Sequence, residues 1–454
     1  MCGFLYIHDK SIQIDLKKSS ESLNLQFHRG PDYQGEVGIN TSKDKNNFFD
    51  IKNNKSHIVN QYLGHNRLKI IDLSEKSNQP IYNNQSFLLY NGEFYNYKKF
   101  DKENTNSDTL TLFNRLENEG INFLNQINGM WSFIYGDLKR NKLFLSRDRY
   151  GKKPLYYFKD KNLFIASSEI KSIFKYLNVK TREINPEYLA RFFATKLNDY
   201  SSEKTFYKEI KSVKAGEVLE LDQSNFKIKK ILNVKKFPLK NFKLKSRDQI
   251  KENLKIDLQN AVASRLISDA PVGVLVSGGL DSSAIVSNII NLKKENNVNF
   301  FYAKQFVTVE NKISDDDYYV KILSKSLKIK INEIDLLSEN SKIENIFHDL
   351  SKQFEEPFNI ELSSIPTYLI SQEMKKRGIK VSIDGVGGDE VLNGYPTYLS
   401  LANANLQKNN YLEFVKFFKL HLSYSDKGKI VDFLSLASQI KNKFFFKKKI
   451  ENNK

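Results

Sequence analysis

The chain has 454 residues, of which 40% are hydrophobic and 13% aromatic, and its formal net charge is +18 at pH 7. This length is too great for one ordinary hydrophobic core, so two domains are expected. No apolar run approaches the roughly 18 residues of a membrane-spanning helix, and the N-terminus lacks a secretory pattern, so neither membrane insertion nor export is expected. A single cysteine excludes an intramolecular disulfide, and a soluble cytoplasmic protein is predicted.

The positive charge raises the question of nucleic-acid binding. The lysines are scattered, as at Lys17-Lys18 and Lys229-Lys230, and no nucleic-acid motif accompanies them. The one dense basic cluster is the tail, residues 441–454, which we interpret as a frayed terminus in preference to a membrane-surface contact. A lysine-rich composition explains the charge better than a nucleic-acid partner does, so none is predicted.

Residues 2–177 are predicted to form a first domain rich in short strands. The strands are indicated by the runs FLYIH, GEVGI, HIVNQYLG, RLKIID, SFLLY, MWSFIYG, KLFLSRD and NLFIASS, which turn-forming residues separate. One helix is predicted from Ser107 to Glu119, where apolar residues recur at helical spacing. The polar segment that begins at Asn40 is predicted to be an exposed loop.

The stretch 178–245 is interpreted as a connection containing a helix, a hairpin and a linker. From residue 246 to 454 helices and strands alternate. The predicted elements are the helix DQIKENLKIDLQNAVASRL, the strand Val272–Val276, a helix from Asp281, the strand NFFYAKQF, a helix after Asp315, the strand IKINEI, the helix Pro366–Lys376 and the strand GIKVSID. This alternation is typical of an α/β domain with helices on both faces of a parallel sheet.

Cys2 directly follows the initiator methionine. Removal of Met1 would leave a thiol nucleophile and a free α-amine on one residue. Such an amine, with a pKa of about 7.7–8 in model compounds, can act as the general base for its own side chain. An ordinary small residue at a tolerant position explains the same cysteine, so its sequence context must decide.

Five further motifs supply that context. They are HRGPD (28–32), GHNRLKIID (64–72), YNGEFYN (90–96), TNSDT (105–109) and SRDRYGKKPLYY (146–157). In order and spacing they resemble the glutaminase domain of class II amidotransferases, specifically the asparagine synthetase branch. The resemblance covers nearly all of the first domain and implies an Ntn-hydrolase-like αββα sandwich.

The resemblance implies a role for each matching residue. Cys2 would attack the glutamine side-chain amide, while the Asn91 side chain and the Gly92 N–H would form the oxyanion hole. Arg67 would bind the α-carboxylate of glutamine, and Asp108 would pair with its α-ammonium. The implied glutamine-binding set is completed by Leu68, Ile70, Ile71 and Glu93. Without that resemblance, we would interpret Arg67 as a surface charge and Asn91-Gly92 as a plain turn.

The run VLVSGGLDSS, residues 274–283, is the second strong signal. Backbone N–H groups of a glycine-rich loop at a helix N-terminus cradle an anion. The Gly-Lys-Ser/Thr ending of a Walker A loop is missing, and SGGLDS instead resembles the pyrophosphate loop of enzymes that cleave ATP to AMP and pyrophosphate. The implied ATP-binding residues are Leu275, Val276, Ser277, Gly278, Gly279, Asp281, Ser282, Lys304, Asp384 and Gly385.

A later segment, SIDGVGGDEVLNGY (382–395), matches the family's second motif near the same active site. The resemblance implies a Mg²⁺ ion held by Asp281 and Asp389, which fits the preference of this ion for oxygen ligands. The implied reaction is adenylation of a carboxylate, followed by displacement of AMP by ammonia that an internal passage delivers from Cys2. Aspartate is the leading acceptor, which would give asparagine from aspartate, glutamine and ATP.

Two departures from the family pattern leave the acceptor open. Val386 stands where asparagine synthetases usually carry an acidic residue, and valine can neither donate nor accept a proton. This favours another acceptor, such as a sugar acid in surface polysaccharide assembly. No counterpart of the family's basic, substrate-facing segment is found after Tyr395. That favours a glutaminase or nucleotide-binding protein with a defective second half, a truncated chain, or reliance on a partner. The oligomeric state is left open, with a homodimer as one option.

Overall fold

The computed structural model describes residues 1–11, 14–41, 46–51, 57–179, 181–195, 198, 202–234, 246–304, 306–307, 312–313, 315–335, 343–357, 364–392, 394, 401, 405, 408 and 410–424. The chain divides into two compact units, Met1–Asp384 and Gly385–Lys454. Within the described ranges, no helix has both the length and the apolar character needed to cross a bilayer.

The first part of the larger unit, residues 1–234, is called the sandwich here. Its elements are β1 (Gly3–Asp9), α1 (Leu16–Asn24), β2 (Tyr33–Thr41), β3 (Asn46–Asp50), β4 (Gln61–Arg67), β5 (Ile81–Tyr82), β6 (Ser86–Phe94), α2 (Asp108–Glu119), β7 (Gly129–Asp137), β8 (Lys142–Arg147), β9 (Tyr156–Lys159), β10 (Leu163–Ser167), α3 (Ile170–Leu177), α4 (Pro186–Thr195), β11 (Lys211–Ser212), β12 (Glu217–Asp222) and β13 (Ile228–Asn233).

These strands form two antiparallel sheets that pack face to face. The first has the order β11-β9-β10-β1-β4-β2-β3 and the second the order β13-β12-β8-β7-β6-β5. Buried side chains from both sheets fill the space between them, and the Tyr6 and Phe87 rings stack there with centroids 5.7 Å apart. Helices α1 and α3 pack on the outer face of the first sheet and α2 on the second. The predicted αββα sandwich is therefore confirmed.

Two sequence expectations for this region are wrong in detail, those for RLKIID and for the segment after Asn40. The predicted strand RLKIID does not continue past Arg67, because the chain leaves β4 there and Ile71 joins the side chains packed beneath α2. Part of the segment predicted as a loop forms β3, which pairs with β2 and so satisfies its backbone. The connection 178–245 supplies β11 to the first sheet and β12–β13 to the second, so we propose that the first domain extends to about residue 233.

The second part of the larger unit, residues 246–384, is called the parallel-sheet layer here. Its elements are α5 (Arg247–Arg265), β14 (Val272–Leu275), α6 (Leu280–Asn291), β15 (Val298–Lys304), β16 (Phe306–Val307), β17 (Lys312–Ile313), α7 (Asp315–Leu327), β18 (Ile331–Asp335), α8 (Ile343–Gln353), α9 (Ser364–Lys376) and β19 (Val381–Ile383). The helices and strands predicted from residue 246 onward are confirmed at these positions.

The four main strands of this layer are parallel, in the order β18-β15-β14-β19. Val262 of α5, Val286 of α6 and Val320 of α7 pack with Val274 on one face. On the other face Met374 of α9 packs in a separate cluster that includes Phe301 and Ala303 of β15. Both faces are thus covered by helices, as the sequence predicted for a parallel sheet.

In the smaller unit the structure describes α10 (Gly388–Leu392) and α11 (Tyr411–Tyr424). Within α10, Asp389 and Glu390 occupy the first turn, where negative charge complements the helix dipole. The basic tail 441–454 lies outside the described residues.

Candidate active site

One pocket of the sandwich is lined by all nine residues predicted for glutamine. Cys2 stands just before β1, Arg67 is the last residue of β4, Asn91, Gly92 and Glu93 lie in β6, and Asp108 begins α2. The complete lining is Met1, Cys2, Arg67, Leu68, Ile70, Ile71, Gln79, Tyr90, Asn91, Gly92, Glu93, Asp108, Thr109 and Lys153. Residues far apart in the sequence, such as Cys2 and Lys153, therefore share one site.

Cys2 is held on both its side-chain and backbone atoms. Its Sγ accepts a hydrogen bond from the Leu68 N–H at 3.4 Å and lies 3.8 Å from the Leu68 carbonyl oxygen. Its own carbonyl oxygen accepts from Arg29 Nε at 3.0 Å, and Arg29 is in turn fixed by Glu169 at 2.9 Å. These contacts present a half-buried thiol to the pocket.

Met1 also lines the pocket, and burial lowers the pKa of its α-amine to about 5. The pocket environment therefore favours the uncharged form of the Met1 amine. An uncharged amine has a free lone pair, which is what a general base requires.

Asn91 and Gly92 provide the donors expected of an oxyanion hole. Asn91 is 1% exposed, and its Nδ2 donor has no hydrogen-bond partner among the described residues. A buried, unpaired donor costs free energy unless a ligand satisfies it. At Gly92 a Cβ atom would lie 2.4 Å from the Met130 carbonyl oxygen, so only glycine fits this part of β6.

Arg67 is buried and fixed by acceptors from the segment that follows it. One terminal nitrogen donates to the Ser74 carbonyl oxygen at 2.7 Å and to Asn78 Oδ1 at 2.8 Å, and the other donates to the Asp72 carbonyl oxygen. Burial lowers the pKa of Arg67, while the nearby Cys2 thiol and carboxylates raise it. All three acceptors are neutral oxygens, so these bonds position the Arg67 guanidinium in the pocket without pairing it with a carboxylate.

Asp108 is the buried acid of the same pocket. Burial raises the pKa of its carboxyl group from 3.8 to about 7, although the Phe94 N–H donates to Oδ2 at 3.1 Å. Ser107 caps α2 and so sets the position of this first helical residue. One buried cation and one buried acid in a small pocket match the two charges of a free α-amino acid.

Five lining residues were not among the predicted site residues: Met1, Gln79, Tyr90, Thr109 and Lys153. Gln79 holds Tyr90 in place by accepting from its N–H at 2.7 Å and donating to its carbonyl oxygen at 3.0 Å. Lys153 is 5% exposed, and burial lowers its pKa while the Glu93 carboxylate raises it. Lys153 stands inside the SRDRYGKKPLYY motif, but nothing in that string distinguishes a buried lysine from a solvated one.

The second candidate site has the predicted strand–loop–helix form. Leu275 ends β14, residues 276–279 form the loop, and Asp281 and Ser282 lie in the first turn of α6. The Ser277 and Ser282 hydroxyl groups are 3.1 Å apart, and the Ser277 N–H donates to Ser282 Oγ at 3.2 Å. Gly278 has φ +77°, a conformation that strongly favours glycine.

Two further predicted residues lie at the same edge of the parallel sheet. Lys304 ends β15 and Asp384 follows β19, and both strands pair in parallel with β14. The carboxyl ends of parallel strands form the usual ligand edge of such sheets. The other two predicted residues, Gly385 and Asp389, belong to the smaller unit.

The fold and the first site together define a class II glutamine amidotransferase, joined to a parallel-sheet domain. A model of the glutamine amidotransferase domain matches residues 1–232, and a model of asparagine synthase matches residues 253–449.

A putative glutamine-hydrolysing asparagine synthetase of Methanocaldococcus jannaschii is 32% identical over 429 residues, covering 88% of this chain and 76% of that protein. The chain therefore belongs to the family of glutamine-hydrolysing asparagine synthetases, a class of ligases.

Other relatives are longer. A Bacillus subtilis asparagine synthetase is 28% identical over 74% of this chain, and an amidase of Gibberella zeae is 29% identical over 83%. The match spans 56% of the Bacillus protein and 55% of the Gibberella protein, which is little more than half of each.

Gly278 and Gly279 offer a matched pair of substitutions in the loop before α6. At Gly278 a Cβ atom would lie 2.8 Å from the Asp316 carbonyl oxygen, and the positive φ would hold an L-residue in the left-handed conformation. At Gly279 the nearest atom to a Cβ would be Ser277 Oγ, at 3.3 Å. We expect Gly278→Ala to weaken the loop by about 1–2 kcal/mol and Gly279→Ala to have little effect. Hydrogen exchange of the amides in residues 276–283 measures this difference, and equal exchange in the two variants would contradict it.

Proposed function

We propose that this chain releases ammonia from glutamine at Cys2 and uses it to amidate a carboxylate that ATP has activated, with AMP and pyrophosphate as the other products. The observation that carries the proposal is the pocket that joins Cys2 to the unpaired Asn91 donor and to the pair Arg67 and Asp108. A thiol, an oxyanion donor and two opposite charges are what hydrolysis of a free amino-acid amide requires.

In the glutamine half-reaction, Arg67 and Asp108 orient the α-carboxylate and α-ammonium of the substrate. The Cys2 sulfur attacks the side-chain amide carbon, and the charge that develops on its oxygen is stabilised by Asn91 Nδ2 and the Gly92 N–H. The C–N bond then breaks, a proton passes to the nitrogen, and ammonia leaves a thioester that water hydrolyses to glutamate. Removal of Met1 gives Cys2 the free α-amine that serves as the base.

In the second half-reaction, the loop before α6 is proposed to bind the phosphates of ATP through its N–H groups and the Ser277 and Ser282 hydroxyls. No group of three or more His, Cys, Asp or Glu side chains suited to a metal occurs among the described residues. Mg²⁺ is commonly held by one or two carboxylates while phosphate oxygens complete its shell. Asp281, in the first turn of α6, is the proposed carboxylate of the larger unit, and the ion would neutralise phosphate charge.

Aspartate is the proposed acceptor, because the family that the chain belongs to is named for asparagine synthesis. Val386 favours a second candidate, another carboxylate, because this residue stands where the family usually carries an acid and its side chain is 88% exposed. The relative described as an amidase in Gibberella zeae is consistent with a family that modifies more than one substrate. The single cysteine supports a reducing, cytoplasmic setting for this chemistry.

The proposal is tested by pyrophosphate and AMP release from MgATP with either glutamine or ammonia, with and without aspartate. We expect aspartate-dependent release and asparagine formation from both nitrogen sources. Cys2→Ala is expected to abolish glutamine hydrolysis and glutamine-dependent synthesis, because it removes the nucleophile, but to retain ammonia-dependent synthesis.

The outcomes separate the two halves of the proposal. Glutamine hydrolysis that survives in Cys2→Ala would overturn the nucleophile assignment. Release of pyrophosphate only when another carboxylate replaces aspartate would establish the second candidate, and Asp281→Ala should then abolish that release as well.

Asp108 gives glutamine binding a specific pH dependence. Its carboxyl group has a pKa of about 7 because it is buried, and only the ionised form attracts the α-ammonium of glutamine. We expect the affinity of the non-hydrolysing Cys2→Ala variant for glutamine to rise about tenfold from pH 6 to pH 8, as the carboxyl group loses its proton. Titration calorimetry at several pH values measures this change.

Two variants decide whether Asp108 is the group that titrates. Adding Asp108→Asn to Cys2→Ala should give weak binding with no such rise, since the amide does not ionise. Adding Glu93→Gln instead should keep the rise, because Glu93, whose pKa burial also raises, is not assigned to the α-ammonium. A rise that persists with Asp108→Asn would contradict the prediction.

A further inference from the structure

Residues 68–72, called the glutamine loop here, join Arg67 to the segment that holds its guanidinium. Leu68, Ile70 and Ile71 line the pocket, and the Leu68 N–H donates to the Cys2 sulfur. The loop has no strand partner, so its backbone must be fixed by other contacts. Several of those contacts come from the parallel-sheet layer.

Asp269 makes two hydrogen bonds to the glutamine loop. Its backbone N–H donates to the Ile70 carbonyl oxygen at 2.9 Å, and its Oδ2 accepts from the Asp72 N–H at 2.8 Å. Asp269 belongs to the short connection between α5 and β14, so it is part of the parallel-sheet layer and not of the sandwich. The loop is therefore tied at two points to a residue that lies 197 positions further along the chain.

Asp72 connects this contact to the pocket. It has φ +55°, a left-handed conformation that is uncommon for a residue other than glycine. In that conformation its N–H donates to Asp269 while its carbonyl oxygen accepts from Arg67. Its own carboxylate accepts from the Ser74 N–H at 2.9 Å and from the Ser77 hydroxyl at 2.5 Å, which also restrains this turn. The peptide groups on either side of one α-carbon thus contact Asp269 and Arg67.

We propose that Asp269 of the parallel-sheet layer is a positioning residue of the glutamine site, because it holds Asp72 in the conformation that aligns Arg67 with the substrate carboxylate. The inference rests on the proposed function of the pocket. It assigns to the second half of the chain a part in substrate binding by the first half. Asp269 does not line the pocket, so its effect on glutamine passes through Asp72 and Arg67.

A second contact holds the other end of the same loop. Asp32 Oδ2 accepts from the Lys69 N–H at 2.8 Å and from Lys380 Nζ at 2.7 Å. Lys380 directly precedes β19, so this ion pair again joins the sandwich to the parallel-sheet layer. Lys380 is partly exposed, and exposed ion pairs contribute little, so the Asp269 contact is expected to matter more.

Asp269 is also close in sequence to the proposed phosphate loop. Two residues, Ala270 and Pro271, separate Asp269 from β14, and the loop that begins at Val276 follows directly after that strand. One short, paired strand therefore connects the glutamine loop at one end with the proposed phosphate loop at the other. A rigid element of this kind fixes the two sites with respect to each other.

The test uses the 454-residue chain with Asp269→Ala and Asp269→Asn. Asp269→Ala removes the acceptor for the Asp72 N–H, and we expect the KM for glutamine to rise about 3- to 10-fold with kcat nearly unchanged, as for loss of one net hydrogen bond. Asp269→Asn retains an acceptor oxygen and should restore a KM close to that of the unmodified chain.

Two controls separate positioning from general damage. Tyr188→Phe removes another hydrogen bond to the parallel-sheet layer, from the Tyr188 hydroxyl to Glu356 Oε2 at 3.4 Å, at a residue that does not line the pocket, and should leave the KM unchanged. Cys2 is the only cysteine in the chain, and its alkylation should proceed at the same rate in Asp269→Ala as in the unmodified chain. An equal rate would show that the thiol is still correctly placed.

The results that overturn the inference are distinct from those that overturn the proposed function. An unchanged KM in Asp269→Ala, a fall in kcat alone, or an equal defect in Asp269→Asn would each remove Asp269 from this role. Absence of glutamine hydrolysis in the unmodified chain would instead refute the function proposed for the pocket.

Discussion

The antiparallel pairing of β1 with β4 is the constraint on which the first site depends. Gly3 pairs with Asn66, so the start of one strand meets the end of the other. Cys2 and Leu68 are thereby brought together at the edge of the sheet, and the sulfur can accept from the Leu68 N–H. Because the pairing is buried between α1 and the second sheet, the register cannot slip without exposing apolar side chains to water.

Burial explains the electrostatics of the pocket. The pKa of Asp108 and that of Glu93 are raised and those of Arg67 and Lys153 are lowered, with desolvation as the largest cause at each residue. Every one of these shifts favours the neutral form, so the empty pocket carries charge at a cost in free energy. In the proposed function, the α-carboxylate and α-ammonium of glutamine would offset that cost.

Contacts within the larger unit make the sandwich and the parallel-sheet layer interdependent. Glu355, just beyond α8, accepts from the Ile170 N–H at 2.7 Å at the start of α3, next to the Glu169 that fixes Arg29 behind Cys2. Asp269 contacts the glutamine loop, which lines the pocket. Both are single carboxylates that satisfy backbone N–H groups of the sandwich, and backbone donors at a helix start or in a loop otherwise lack partners.

Sequence alone predicted the residues of both candidate sites, because Cys2, the motif that contains Asn91 and Gly92, and the loop from Ser277 to Ser282 are short strings that resemble family motifs. It also determined the parallel sheet, since helical and strand periods alternate plainly after residue 246. The tertiary structure decided what depends on distant partners. Whether RLKIID is a strand or a loop, whether Lys153 is buried, and which residue fixes Asp72 all follow from packing between segments far apart in the chain, which no local pattern records.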